Sequence, residues 1–210
     1  MSLLEYLQRR YLTEEQLLAG AGCSQDQLRQ WQKRGMAPQA SYRLDLSLVC
    51  HSVLVEHRET QQLLFHARYT LSWLRLLTKV ADAEQAFGIF AQIYENQLGQ
   101  RRKQGFNTSS RCFNQQLCGH ISQEWRHFLQ GTYGLCTQTG RVEEIVDKEL
   151  AIAIIEELTA GQPDAALQAT VSGILERAYA LLDKACAPFP SHEYPGSSRE
   201  RYLAGRLETP

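Results

Sequence analysis

Residues 44–80 read LDLSLVCHSVLVEHRETQQLLFHARYTLSWLRLLTKV, and what this stretch forms decides the fold. Leucines, valines and aromatics recur along it at helical intervals. That spacing predicts one long helix, or two with a break near Arg58–Thr60. On this reading no part of the chain sustains a period-two alternation, and the expected fold class is all-α.

Upstream, three cap signals follow in quick succession. Ser2 with Glu5, Thr13 with Gln16 and Ser24 with Gln27 form capping boxes ahead of LLEYLQRR, EEQLLAGA and QDQLRQWQKR. Gly22 and Gly35 stand where the second and third helices need a left-handed cap.

Downstream, ADAEQAFGIFAQIYENQLGQRRK (81–103) predicts a helix with Phe87, Phe90, Tyr94 and Leu98 along one face, and QGFNTSS (104–110) a loop. RCFNQQLCGHISQEWRHFLQ (111–130) predicts a helix stopped by Gly131. VEEIVDKELAIAIIEELTA (142–160) predicts another, and PDAALQATVSGILERAYALLDKACA (163–187) a last one opening on Pro163. Residues 188–210 hold four prolines and two glycines, which predicts an extended tail. The expected organisation is a helix-turn-helix-like module (1–44), a helical bundle (45–187) and the tail (188–210).

The 210 residues carry 22 Lys and Arg against 23 Asp and Glu, so no global field draws the chain to nucleic acid or anionic lipid. No apolar run reaches the length of a membrane span, and the start lacks a signal-peptide pattern. A cytoplasmic location without membrane contact is expected. The six cysteines are then read as reduced packing residues.

LTEEQLLAGAGCSQDQLRQWQKRGMAP (12–38), and more weakly SYRLDLS (41–47), resembles a MerR-type helix-turn-helix. The resemblance implies a second helix presented to the major groove, with a wing behind it on the phosphates. Arg29, Gln30 and Lys33 would then lie on the contacting face, and Tyr42–Arg43 would match the end of the wing. Two departures weaken DNA binding. Only Met36–Ser41 separate Gly35 from Tyr42, which leaves little room for a hairpin, and Asp26 occupies the first turn, where phosphates would arrive. Residues 1–44 hold six basic against four acidic residues, too small an excess for a monomer to grip a duplex firmly. A protein partner is favoured over DNA, and a homodimer is a further reading.

For chemistry, His120, Glu124 and His127 fall at i, i+4 and i+7 of one predicted helix, with the Glu-x-x-His spacing of carboxylate-bridged metal sites. No second copy of the pair occurs, so a polar stripe is the better reading and no cofactor is expected. Cys136 in GTYGLCT follows two glycines and is the candidate nucleophile, though without an identifiable base. Arg101, Arg102 and Lys103 form a basic cluster suited to a helix C-terminus, with a phosphate or acidic partner as the alternative. No P-loop, G-x-G-x-x-G or G-x-S-x-G is present.

Finally, MSLLEYLQRRYLTEEQLLA (1–19), EWRHFLQGTYGLCT (124–137), KELAIAIIEELT (148–159) and SSRERYL (197–203) resemble an uncharacterised bacterial family labelled "natural product biosynthesis protein". The resemblance implies a pathway association and brings no catalytic residue. It suggests that the tail docks, with Tyr202 and Leu203 as anchors and Arg199 and Arg201 facing carboxylates. The expected function is a non-enzymatic regulator or adaptor. An accessory or tailoring enzyme with a polar site in the bundle, and a dimeric structural component, are the alternatives; whether the chain is an enzyme stays open.

Overall fold

The computed structural model describes residues 2–160 and 165–204, apart from the side chains of 165–171. The helix start expected at Pro163 and the tail residues 205–210 lie outside them. The N-terminal elements are α1 (Leu3–Arg10), β1 (Tyr11–Thr13), α2 (Glu14–Ala21), α3 (Gln25–Lys33), β2 (Tyr42–His51), β3 (Glu56–Ala67) and α4 (Arg68–Leu77). The bundle follows with α5 (Ala83–Lys103), a 3-10 turn at Arg111–Phe113, α6 (Leu117–Leu129), α7 (Thr132–Cys136), α8 (Val142–Thr159), α9 (Ala165–Ala185) and α10 (Ser198–Leu203).

The all-α expectation is corrected to a mixed fold. Residues 42–67 form an antiparallel hairpin, and β3 also pairs with β1, giving the sheet order β1-β3-β2. The register runs from Tyr42↔Phe65 to His51↔Glu56. Leu44, Leu46, Leu48 and Cys50 therefore share one face, which is the alternation a half-buried strand requires. Met36–Ser41 themselves hold no hairpin; the hairpin follows them, its strands built from the residues read as helix. The boundary expected at residue 44 falls inside β2.

The caps explain the short helices. Ser2 and Thr13 each close a reciprocal capping box, and Ser24 accepts from Gln27 N. Gly22 and Gly35 adopt φ of 68° and 67°, where a side chain would be strained.

One core runs from the N-terminal helices into the bundle. Leu17, Leu28, Trp31 and Met36 belong to the same buried cluster as Trp73, Phe90, Trp125 and Phe128. Trp73 packs edge-on against Phe128 at 5.1 Å, and its indole N–H donates to Met36 O at 2.8 Å. A smaller cluster of Tyr6, Leu7, Tyr11 and Phe65 seats α1 on the base of the hairpin.

Between these clusters lies α7. Gly131 has φ of 80°, and a Cβ there would stand 2.8 Å from Gln39 O. A Cβ on Gly134 would stand 1.9 Å from Ser41 Oγ. Tyr11 donates to Gly134 O at 2.9 Å and Ser41 to Gly131 O at 3.0 Å. The two glycines of GTYGLCT thus let the 39–41 loop close onto the bundle.

The extended tail is also corrected. Ser197 caps α10 by accepting from Glu200 N, and Leu203 is buried. Among the described residues no helix is long and apolar enough to cross a membrane.

Candidate functional site

Two surfaces compete for attention: the outward side of α3 with the hairpin, and a polar cluster inside the bundle. On α3, Leu28 and Trp31 face the core, while Asp26, Gln30 and Lys33 are exposed. Arg29 is committed within the fold. Its Nη2 lies 2.7 and 2.6 Å from the two Glu14 carboxylate oxygens, and its Nη1 donates to Gln32 at 3.0 Å. Behind this pair, His66 is fully buried, with Nε2 3.5 Å from Glu14 Oε2 and, among the described residues, no hydrogen bond to either ring nitrogen. Burial pushes the His66 imidazole down. Burial also pushes the Glu14 carboxyl up, but hydrogen bonds from Arg29 and Gln25 outweigh it and hold it below its ordinary value.

The hairpin has two unlike halves. At its base Phe65 and His66 are buried, while from Leu48 to Thr60 every residue is exposed. Leu54 is 91 % and Val55 is 64 % exposed, and with Val53 they make an apolar tip. Covering such side chains is worth roughly 1.5–3 kcal/mol each, so an exposed run of three is a costly apolar patch. Between tip and base, Leu44, Leu46 and Leu48 form a row on one face of β2, the open edge of the sheet.

The charges on this hairpin answer one another. Arg43 lies 3.2 Å from Asp45, Arg58 donates to Glu56 at 2.7 Å, and Gln62 donates to Asp45 at 2.8 Å. Over residues 1–67 seven Lys and Arg meet seven Asp and Glu. Of the residues expected to contact a macromolecule, Gln30 and Lys33 are free on the surface, whereas Arg29 and Arg43 each face a carboxylate.

Inside the bundle α6 carries His120, Glu124 and His127. His120 Nδ1 faces Glu124 Oε1 at 3.6 Å, and its Nε2 meets the Tyr94 hydroxyl at 3.1 Å. Glu124 is buried, and its Oε2 has no hydrogen-bond partner among the described residues. Burial first, then repulsion from Glu149, raises its carboxyl to about 8 against the pull of Lys148. Burial likewise lowers His120. His127 packs its ring near Tyr133. Among the described residues no group of three or more His, Cys, Asp and Glu is placed to hold a metal.

Cys136 lies at the C-terminal end of α7, where burial raises its thiol to about 11. Burial thus favours the uncharged forms of Glu124, His120 and Cys136. Tyr94, Lys148 and Glu149 complete this cluster from α5 and α8, and nothing in their sequence spacing marks them. All six cysteines are free; Cys186 is buried, but Cys50, Cys112 and Cys118 are exposed.

The basic cluster ending α5 is divided. Arg101 pairs with Asp147 at 2.5 Å, Arg102 donates to Phe113 O, and Lys103 is exposed. In the tail Arg199 donates to Asp183 Oδ1 at 2.5 Å and to Ala187 O at 3.0 Å. Arg201 and Tyr202 both reach Glu156.

A model of a family of unknown function, DUF6058, matches residues 86–208, a range that includes α6 to α10. No curated protein and no solved structure matches the chain.

Proposed function

The chain belongs to the DUF6058 family of unknown function, and from that premise we propose that this member is a non-enzymatic adaptor. Its helix-turn-helix and hairpin contact a protein partner rather than DNA. The occupant we assign is a partner protein that adds an apolar strand to the β2 edge, covers Leu44, Leu46 and Leu48, and wraps the tip. The likeness of residues 12–38 to a MerR-type module supports reading α2, α3 and the hairpin as a winged helix-turn-helix.

One observation carries the choice of partner. The hairpin tip (Val53–Val55) and Leu48 on β2 are exposed apolar side chains standing clear of the body of the protein, the outer half of β3 is polar, and the charges of residues 1–67 cancel. Phosphate binding scales with the number of charges neutralised, and a module with no net charge has little to offer a duplex. Strand addition needs an open edge and alternate apolar side chains, and β2 has both.

The test is photo-crosslinking in cells of the source organism, with a crosslinking residue placed at Leu48, at Leu54 and, as a control, at Arg126 on the bundle surface. The same protein attached at Leu48 and Leu54, but not at Arg126, is the expected result. Attachment to nucleic acid, to another copy of this chain, or equally from all three positions would overturn the reading.

A further inference from the structure

A hollow lies between α1 and the proline-rich stretch before α10. It measures about 680 Å³, within the size range of small-molecule sites. Tyr6, Phe189, Pro188 and Pro190 supply apolar lining, and Arg9, Arg10 and His192 supply positive or protonatable groups.

Its walls are held from outside. Arg68 donates to the carbonyls of Arg9 and Arg10 at 2.6 and 3.2 Å, fixing the end of α1. On the facing wall Tyr42 donates to Glu193 at 2.5 Å, and Arg199 holds Ala187 O. Prolines at 188 and 190 fix two backbone φ angles there.

Two features point to an occupant. Among the described residues, exposed Arg9 has no ion pair or side-chain hydrogen bond, while Arg10 uses Nη2 alone, on Gln138 at 2.9 Å. The Tyr6 hydroxyl is buried beside Tyr11 and Tyr42, but outside the geometry of a hydrogen bond to either. Two carboxylates near this rim are already engaged: Glu193 accepts from Tyr42 and lies 3.8 Å from His192, and Glu5 accepts from Ser2 N at 2.8 Å.

We propose that this groove binds a small amphipathic anion, with its acidic head on Arg9 and Arg10 and its apolar body against Tyr6 and Phe189. Charge-assisted hydrogen bonds from two guanidiniums favour a carboxylate or phosphate head, and the apolar floor favours a hydrocarbon body. The inference is independent of the hairpin's role.

Calorimetric titration with dodecyl phosphate below its micelle concentration tests it, with inorganic phosphate and dodecyl maltoside as probes of head and body alone. Saturable one-site binding is expected, at least tenfold tighter than either control. Arg9→Glu should weaken it at least tenfold, Arg9→Gln less, and Phe189→Ala several-fold, all with unchanged melting temperature. Leu54→Ser, at the hairpin tip, should leave it untouched. Equal binding of dodecyl maltoside, indifference to Arg9→Glu, or loss in Leu54→Ser would each overturn the assignment.

Discussion

The two halves of the β2–β3 hairpin share strands and register but live in different environments. At the base Phe65 is sealed under Tyr6, Leu7 and Tyr11, and Ser41, just before β2, is locked to Gly131. Beyond Leu48 the same ladder continues with nothing over either face, ending in a fully exposed Val53–Leu54 pair. The lesson is that the inner half is tied into the core of the molecule, while the outer half contributes little to the fold.

The comparison breaks first, and most sharply, at Phe65. Phe65→Ala removes a fully buried ring and should cost about 3–5 kcal/mol in denaturant unfolding, whereas Leu54→Ser should stay within about 0.5 kcal/mol of the wild type. Comparable losses in the two variants would erase the distinction.

Away from the hairpin, Glu124 should make stability depend on pH. Between the ordinary carboxylate range and about 8 the folded state holds a proton that the unfolded chain has released. Stability from this group is complete in acid, falls as pH rises through that window and levels off above it. Burial-depressed His66 and His120 act in the opposite sense toward acid, so the difference between wild type and Glu124→Gln isolates the carboxyl. The gap should widen in the variant's favour by a few kcal/mol from pH 5 to pH 8. A parallel pair of curves would show that Glu124 ionises freely.

The weld at α7 comes next. Gly134→Ala forces a Cβ onto Ser41 Oγ and should cost about 1–3 kcal/mol, part of it recovered by adding Ser41→Ala. An additive double mutant would place the strain elsewhere. Smallest of all is Arg29→Ala. Its guanidinium is partly exposed, so loss of the Glu14 pair should cost at most about 1 kcal/mol and leave crosslinking from Leu48 unchanged. Lost crosslinking would return Arg29 to the contact surface.

Local signals in the sequence were readable where chemistry is local. Ser2, Thr13 and Ser24 cap their helices from three residues away, and the glycine stops at Gly22 and Gly35 need only their own φ. The hairpin was hidden for two reasons. Adjacent apolar residues such as Leu48–Val49 and Leu63–Leu64 satisfy helical spacing as well as alternation. Its turn also lacks the usual Asn-Gly or Gly signature. Among the described residues no non-glycine has positive φ, and Ser52 Oγ instead accepts from Leu54 N and Val55 N to close the bend. At the polar cluster, His120 and Glu124 could be paired by their i, i+4 spacing, but Tyr94 and Glu149 arrive from other helices and only packing brings them in.

The most direct test shortens the hairpin: residues 48–59 are replaced by Asn-Gly, joining Ser47 to its register partner Thr60. The account predicts a melting temperature within about 2 °C of the wild type, and loss of the protein otherwise crosslinked from the β2 edge, read from a crosslinker at Leu46. A shortened chain that fails to fold, or one that still captures that protein, would contradict it.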